Sequence, residues 1–183
     1  MDHQELLKQI IDLELDMFER VRTAEPSLCQ ERPEAFKSMR TMTHSVLSVQ
    51  TLESYLQDLQ QAKTEGNNLL TLKYARMGGQ IPALKDNPII SEIVKTEERW
   101  MVELSQQYPH TIKGGTGFGV YLSGELETYS DKTLELYAKD VSEADTAGRN
   151  LATDRFNWLF AQIGYGSIAE AEEKARKSEE QKE

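Results

Sequence analysis

Two residue types that often build chemical sites are scarce in this chain, which has one cysteine and three histidines among 183 residues. A single cysteine, Cys29, cannot form a disulfide within the chain or supply a cysteine-based zinc site. The histidines, His3, His44 and His110, are too scattered for an HExxH or comparable metal motif. The sequence therefore excludes the common sites built from these residues.

Long apolar runs and an excess of basic residues are also missing. No run approaches the roughly 18 residues that span a bilayer, and the start, MDHQELLKQ, lacks the features of a secretory signal. With 21 Lys and Arg against 31 Asp and Glu, the net charge is −10. Nucleic acids and anionic membranes call for a basic face. We therefore expect an acidic cytoplasmic protein with neither partner, and its oligomeric state is left open.

Strand patterns are absent as well, because no stretch alternates β-branched and polar residues. Apolar residues instead recur every three or four positions, as they do on one face of a helix. The first such helix is predicted from about residue 3 to about residue 22, and another begins at Pro88. We predict an all-α fold of six or seven principal helices, with short helical segments near Phe36 and Phe118.

One stretch of the chain occurs twice. Residues 51–77 and 133–159 agree at 11 of 27 positions when shifted by 82 residues, where unrelated segments would agree at roughly two. We predict a single domain, 1–183, in which two repeats related by a pseudo-two-fold axis share one core. The repeat halves are about 1–78 and 88–164, and residues 167–183 form a C-terminal helix with a frayed, charged tail.

Local signals place the helix ends within the repeat. Ser48 is a candidate N-cap for the helix that contains Thr51, and Gly66 suits a left-handed residue at its end. Asn68 can then cap the next helix, so Gly-x-Asn is a hinge between helices and needs no catalytic explanation. The glycine-rich segment 108–119 lacks the order of a phosphate-binding loop. A flexible connector is favoured over a ligand-binding loop for this segment, and its role stays open.

Two glutamates are the sharpest functional signal. Glu14 and Glu97 each lie in the middle of an apolar helical stripe, 83 residues apart. A buried carboxylate must be paired, protonated or metal-bound, since its burial otherwise costs several kcal/mol. If the repeats share a core, the two lie close together, and the pKa of at least one would rise. The alternative is a structural ion pair for each, with Arg40 or Arg99 available.

The repeat also contains a tyrosine and an aspartate one turn apart, as Tyr55 with Asp58 and as Tyr137 with Asp140. Tyrosine on an apolar face is usually a core residue whose hydroxyl has an acceptor, and this aspartate is a ready one. The structural interpretation is favoured, and a role in a site is the alternative.

Cys29 could act as a nucleophile, which requires a base and a positive setting. Its neighbours Glu25 and Glu31 have the wrong sign, so an inert thiol is favoured. If the protein binds a carboxylate-bridged pair of metal ions, Glu14 and Glu97 are the candidate ligands. Helical bundles with such sites also use Glu-x2-His motifs, and this motif is absent from the sequence. Metal binding is therefore the weaker hypothesis.

Several of these motifs occur together in a known family. They are Cys29-Gln30, Met39-Arg40, the Glu-x-Tyr-x2-Asp helix with Gly66-Asn67-Asn68-Leu69, and GELETYSDKTLELY with GRNL. Their order resembles a bacterial family catalogued only as a domain of unknown function. The resemblance covers nearly the whole chain. It implies an all-helical, bacterial, cytosolic protein and supplies no activity.

Three functional hypotheses follow. In the first, a small polar or cationic ligand is bound, or also acted on, at an internal cluster whose candidate residues are Glu14, Glu97, Tyr55, Tyr137, Asp58, Asp140, Arg40 and Cys29. A cation is expected because two ionised glutamates need a positive partner, either an arginine of the chain or an amine, guanidinium or divalent ion. The alternatives are a helical interaction module and a metal-binding bundle. No motif indicates a cofactor.

Overall fold

The computed structural model describes residues 1–22 and 32–181, which form nine α-helices and contain no strand. The helices are α1 (His3–Glu19), α2 (Pro33–His44), α3 (Val49–Thr64), α4 (Leu69–Met77), α5 (Pro88–Gln107), α6 (Phe118–Leu126), α7 (Asp131–Thr146), α8 (Leu151–Gln162) and α9 (Ile168–Glu180). The all-α prediction is confirmed. The predicted six or seven is too low, because short segments such as α2 and α6 are full helices.

The helix ends follow the predicted signals. Ser48 and Asn68 accept hydrogen bonds from the backbone N–H groups of Thr51 and Thr71, and so cap α3 and α4. Gly66 has φ of 75° and Gly148 has φ of 68°, a left-handed conformation that strains residues with a Cβ. The first helix ends at Glu19, earlier than predicted. At the other end of the chain, α9 is helical to Glu180, including most of the segment for which fraying is predicted.

The helices of the two predicted halves pack in corresponding ways. Helix α1 packs against α2, α3 and α4, and α5 packs against α6, α7 and α8. Between the halves, α3 packs against α7, α2 against α8, and α4 against α6, while α9 packs against α8. Buried apolar residues from α1 to α9 belong to one cluster. The duplication and the pseudo-two-fold axis stay interpretations of the sequence.

The contact between α3 and α7 contains two reciprocal polar links. Each aspartate accepts two hydrogen bonds at the start of the opposite helix: Asp140 from Ser48 N (2.9 Å) and Thr51 Oγ1 (2.6 Å), and Asp58 from Ser130 N (2.9 Å) and Thr133 Oγ1 (2.7 Å). A negative charge is favourable at a helix N-terminus. The prediction that these aspartates accept from the neighbouring tyrosines is therefore wrong, and they hold α3 and α7 together instead.

Cys29 lies outside the described residues, together with the rest of segment 23–31 and residues 182–183. Within the described ranges, none of the helices combines the length and the apolar character needed to cross a membrane.

Replacing Asp140 by Ala is expected to lower the free energy of unfolding by about 1–3 kcal/mol, because the N-terminus of α3 loses a charged acceptor. Urea unfolding measures the loss. The matched control is Asp145→Ala on the same helix, where the exposed carboxylate pairs with Arg99 and little change is expected. Equal losses in the two variants would contradict the proposed role of Asp140.

Candidate functional site

Glu14 is fully buried and is held by four side-chain contacts. The guanidinium of Arg40 on α2 donates two hydrogen bonds to it, from Nε to Oε2 (2.9 Å) and from Nη2 to Oε1 (2.6 Å). The Tyr55 hydroxyl donates to Oε1 at 2.7 Å, and His44 Nε2 lies 3.0 Å from the same oxygen. Glu14 is therefore an ion paired within the protein, as one of the two sequence interpretations expected.

Glu97 is also fully buried, and its partner is Arg155 on α8. Nη1 of Arg155 donates to Oε2 at 2.6 Å and Nη2 to Oε1 at 2.8 Å, while the Tyr137 hydroxyl donates to Oε1 at 3.0 Å. The sequence analysis named Arg40 or Arg99 as the available arginines. Arg40 pairs with Glu14, whereas Arg99 pairs with Glu103 and Asp145 at the surface.

A third buried carboxylate, Glu125, was not predicted. Arg40 donates to it from Nη1 to Oε2 (2.9 Å) and from Nη2 to Oε1 (2.8 Å), so one guanidinium joins Glu14 to Glu125. The Lys73 ammonium lies 2.5 Å from Oε2, and the Tyr129 hydroxyl donates to Oε1 at 2.8 Å. A glutamate within the apolar segment of α6 was the available signal for this residue.

These groups form two buried clusters, one of Glu14, Arg40, Glu125 and Lys73 and one of Glu97 and Arg155, and the charges balance within each. Together the two clusters are the buried network. The members that carry a formal charge are three carboxylates, Glu14, Glu97 and Glu125, and three cations, Arg40, Lys73 and Arg155. Each carboxylate has a cation of the protein within hydrogen-bond distance. The chain itself thus supplies the positive partner that the sequence analysis left open.

Burial and charge pairing shift the pKa values of several residues of the network. Burial alone would raise the pKa of Glu14 and of Glu125, but the positive charge of Arg40 outweighs it and holds both values well below the usual range. Burial, reinforced by the neighbouring glutamates, raises the pKa of Tyr55, Tyr129 and Tyr137. General acid–base catalysis favours groups that titrate near the working pH, and none of these five does so.

A cavity of about 240 Å³ lies between α2, α5, α6 and α8, next to this network. Its polar and charged lining residues are Arg40, Thr43, Glu97, Tyr121, Glu125, Tyr137 and Arg155, and its apolar ones are Met39, Met42, Met101, Phe118, Leu122, Ala152 and Phe156. Met39 is 49% exposed and lies at the rim. An apolar pocket with a few convergent polar groups is the usual form of a small-molecule site.

The seven sequence candidates other than Cys29, which lies outside the described residues, fall into three groups. Arg40, Glu97 and Tyr137 line the cavity, whereas Glu14 and Tyr55 belong to the network without lining it. Asp58 and Asp140 act at the contact between α3 and α7.

Sequence reasoning missed His44, Lys73, Glu125 and Arg155. Lys73 and Arg155 lie 82 residues apart, the shift that relates the repeats, and this pairing was the signal that could have found them. The buried His44 Nδ1 has no hydrogen-bond partner among the described residues.

Side-chain sizes at paired positions explain where the cavity lies. In the first half, the Phe18 ring stacks on Phe36 with centroids 4.3 Å apart and lies 6.1 Å from Tyr74. The sequence shifts pair these rings with Met101, Phe118 and Phe156, and pair Leu70 with Ala152. All four second-half residues line the cavity. A methionine in place of a ring and an alanine in place of a leucine leave the space open.

The family model described as a protein of unknown function, DUF4125, matches residues 4–173. The chain belongs to the DUF4125 family. The resemblance stated from the motifs is thereby confirmed. Searches of the curated proteins and of the solved structures find no match, so the DUF4125 assignment brings no activity.

The same carboxylates bear on the metal hypothesis for this DUF4125 protein. Within residues 1–22 and 32–181, no group of three or more His, Cys, Asp or Glu side chains could hold a metal ion. Glu14 and Glu97 each accept two hydrogen bonds from an arginine. A metal ion would have to displace those donors.

Replacing Arg40 by Met is expected to cost about 3–5 kcal/mol of unfolding free energy, because Glu14 and Glu125 both lose a buried positive partner. Chemical denaturation measures the change. Arg99→Met is the control, since its two partners are exposed and the loss should be slight. A small effect of Arg40→Met would mean that the network contributes little to stability.

The free energy of unfolding should also depend on pH in the acidic range. Because the pKa of Glu14 and of Glu125 is lower in the folded state than the ordinary value of 4.5, their contribution is present above that pH and declines as the pH falls below it. In Glu125→Gln, the slope of unfolding free energy between about pH 5 and about pH 3 should be shallower by up to ~1.4 kcal/mol per pH unit. The exposed control Glu53→Gln should keep the parental slope, and identical slopes in all three proteins would contradict the assignment.

Proposed function

We propose that this protein binds a small neutral molecule, mostly apolar and with one hydrogen-bonding group, in the cavity between α2, α5, α6 and α8. The observation that carries the proposal is the cavity itself, which is open where the paired positions of the first half carry stacked rings and a leucine. The proposal keeps the internal ligand of the sequence analysis but changes its expected chemistry from cationic to neutral.

The apolar residues that line the cavity favour a ligand that is mostly apolar. Half of the lining residues are Met, Leu, Ala or Phe, and Met39 at the rim gives access from solvent. Methionine side chains adapt to varied apolar shapes. Contact with these walls favours a compact hydrocarbon or aromatic group of a size that 240 Å³ can hold.

The charged residues that line the cavity favour an uncharged ligand. Two cations, Arg40 and Arg155, and two carboxylates, Glu97 and Glu125, line the cavity and pair with one another. An ionic ligand would lose its hydration and meet no uncompensated charge, which is costly. A neutral molecule avoids this cost and is therefore favoured over the cation expected from the sequence.

Two donors at the cavity can still form a hydrogen bond with a ligand. Arg155 Nη1 carries two N–H groups, and its contact within the described residues is the one to Glu97. The Tyr121 hydroxyl accepts a long bond of 3.4 Å from Arg40 and can donate its own proton. A ligand hydroxyl or carbonyl oxygen could accept from either donor. Binding is proposed and acid–base catalysis is not, because Tyr137 and Glu125 stay in one protonation state around neutral pH.

Thermal unfolding with added compounds tests the proposal. Neutral probes (phenol, indole and n-butanol) should each stabilise the protein by about 2.7 kcal/mol at a hundredfold excess over Kd. Cations (putrescine, agmatine and Mg²⁺) and the anion benzoate should stabilise it less. Ala152→Leu should remove this stabilisation, because it fills the cavity with the residue type found at position 70. The matched control is Ala161→Leu, the same change at an exposed position of α8.

If Ala152→Leu is too overpacked to fold, Met101→Phe is the second filling variant, since it installs the ring found at position 18. Larger stabilisation by cations would restore the original ligand hypothesis. Neutral probes that stabilise a folded filling variant as well as the parent would overturn the proposed site and favour the interaction module.

A further inference from the structure

We infer that the ligand is chain-like and extends from the cavity into a neighbouring groove under the glycine-rich loop. The inference rests on the proposed function, because it takes the cavity as the binding site of the polar end. It assigns a ligand-binding role to segment 113–117, which the sequence analysis regarded chiefly as a connector.

The groove adjoins the cavity. It measures about 920 Å³ and runs beside α5 and the loop of residues 113–117. Three side chains, Met101, Phe118 and Tyr121, line both spaces. The cavity and the groove are therefore separated by no more than these side chains, one of which is a flexible methionine.

The groove offers apolar contact along its length and polar groups at its edge. Beyond the three shared residues, Met77 and Val102 supply apolar surface, and Val102 is 53% exposed. Gly114 and Gly115 border the groove with backbone alone, and a Cβ at Gly115 would meet no atom within 4 Å. The groove is therefore open on its loop side and has apolar surface along α5, which suits a hydrocarbon chain.

The polar and charged residues of the two spaces determine the orientation of the ligand. Arg155 lines the cavity and not the groove, whereas Tyr121 lines both, so the hydrogen-bonding head is assigned to the cavity on the donor of Arg155. The groove also carries Glu98, Arg99 and Lys113, charges of both signs that do not select an ionic tail. The occupant that fits both spaces is a neutral molecule with one polar head and an unbranched apolar chain.

A series of n-alcohols tests this geometry on the full chain by isothermal titration calorimetry. The series is n-butanol, n-hexanol, n-octanol and n-decanol, each kept below its solubility limit. If the chain continues into the groove, each added methylene should tighten Kd by about fourfold through to n-decanol. If the ligand is confined to the cavity, the gain should stop once the cavity is full.

Two variants separate the groove from the cavity. Val102→Glu places a charge in the groove and should weaken n-decanol by at least tenfold while leaving n-butanol unchanged. Val120→Glu is the matched control, because Val120 is 60% exposed on α6 and is not a lining residue of either space. Ala152→Leu should weaken all four alcohols.

The outcomes distinguish the two proposals. Binding of n-butanol that Ala152→Leu abolishes, without a gain from n-hexanol to n-decanol, would overturn the groove and keep the cavity. Equal effects of Val102→Glu and Val120→Glu on n-decanol would also overturn the groove. Failure of every alcohol to bind would overturn both.

Discussion

The Arg40 guanidinium holds together groups from three helices that would otherwise be costly to bury. It links Glu14 of α1 to Glu125 of α6 from its own position on α2, and all three side chains are removed from solvent. A buried ion pair is not in itself strong evidence of net stability, because desolvation offsets much of the attraction. It does restrict the packing, since any arrangement that separates these groups leaves a buried charge without a partner. The relative position of α1, α2 and α6 follows from this constraint.

The cavity borders a second buried ion pair. A guanidinium that pairs bidentately needs a fixed orientation, and Arg155 obtains it from Glu97, Tyr137 and the carbonyl of Thr43. Both members of this ion pair line the cavity, together with the small side chain of Ala152. Charge pairing thus fixes the orientation of part of the cavity wall.

The sequence predicted the local structure better than the long-range contacts. Ser48, Gly66 and Asn68 act within a few residues, so their caps could be predicted from the chain alone. The burial of Glu14 and Glu97 followed from helical spacing. Arg99 failed as a partner because a residue two positions after Glu97 projects from the opposite side of the helix. The true partner, Arg155, is 58 residues away, and only tertiary packing brings it close.

The pairing of positions between the halves separates two kinds of residue. Where paired positions carry the same residue, as in Tyr55 and Tyr137 or Asp58 and Asp140, the side chains hold the network or join α3 to α7. Two second members of identical pairs, Glu97 and Tyr137, also line the cavity, beside Met101 and Ala152, which differ from the residues paired with them. The identities between the two halves therefore account for the charge pairing, and the smaller or more flexible residues at the differing positions account for the open space beside it.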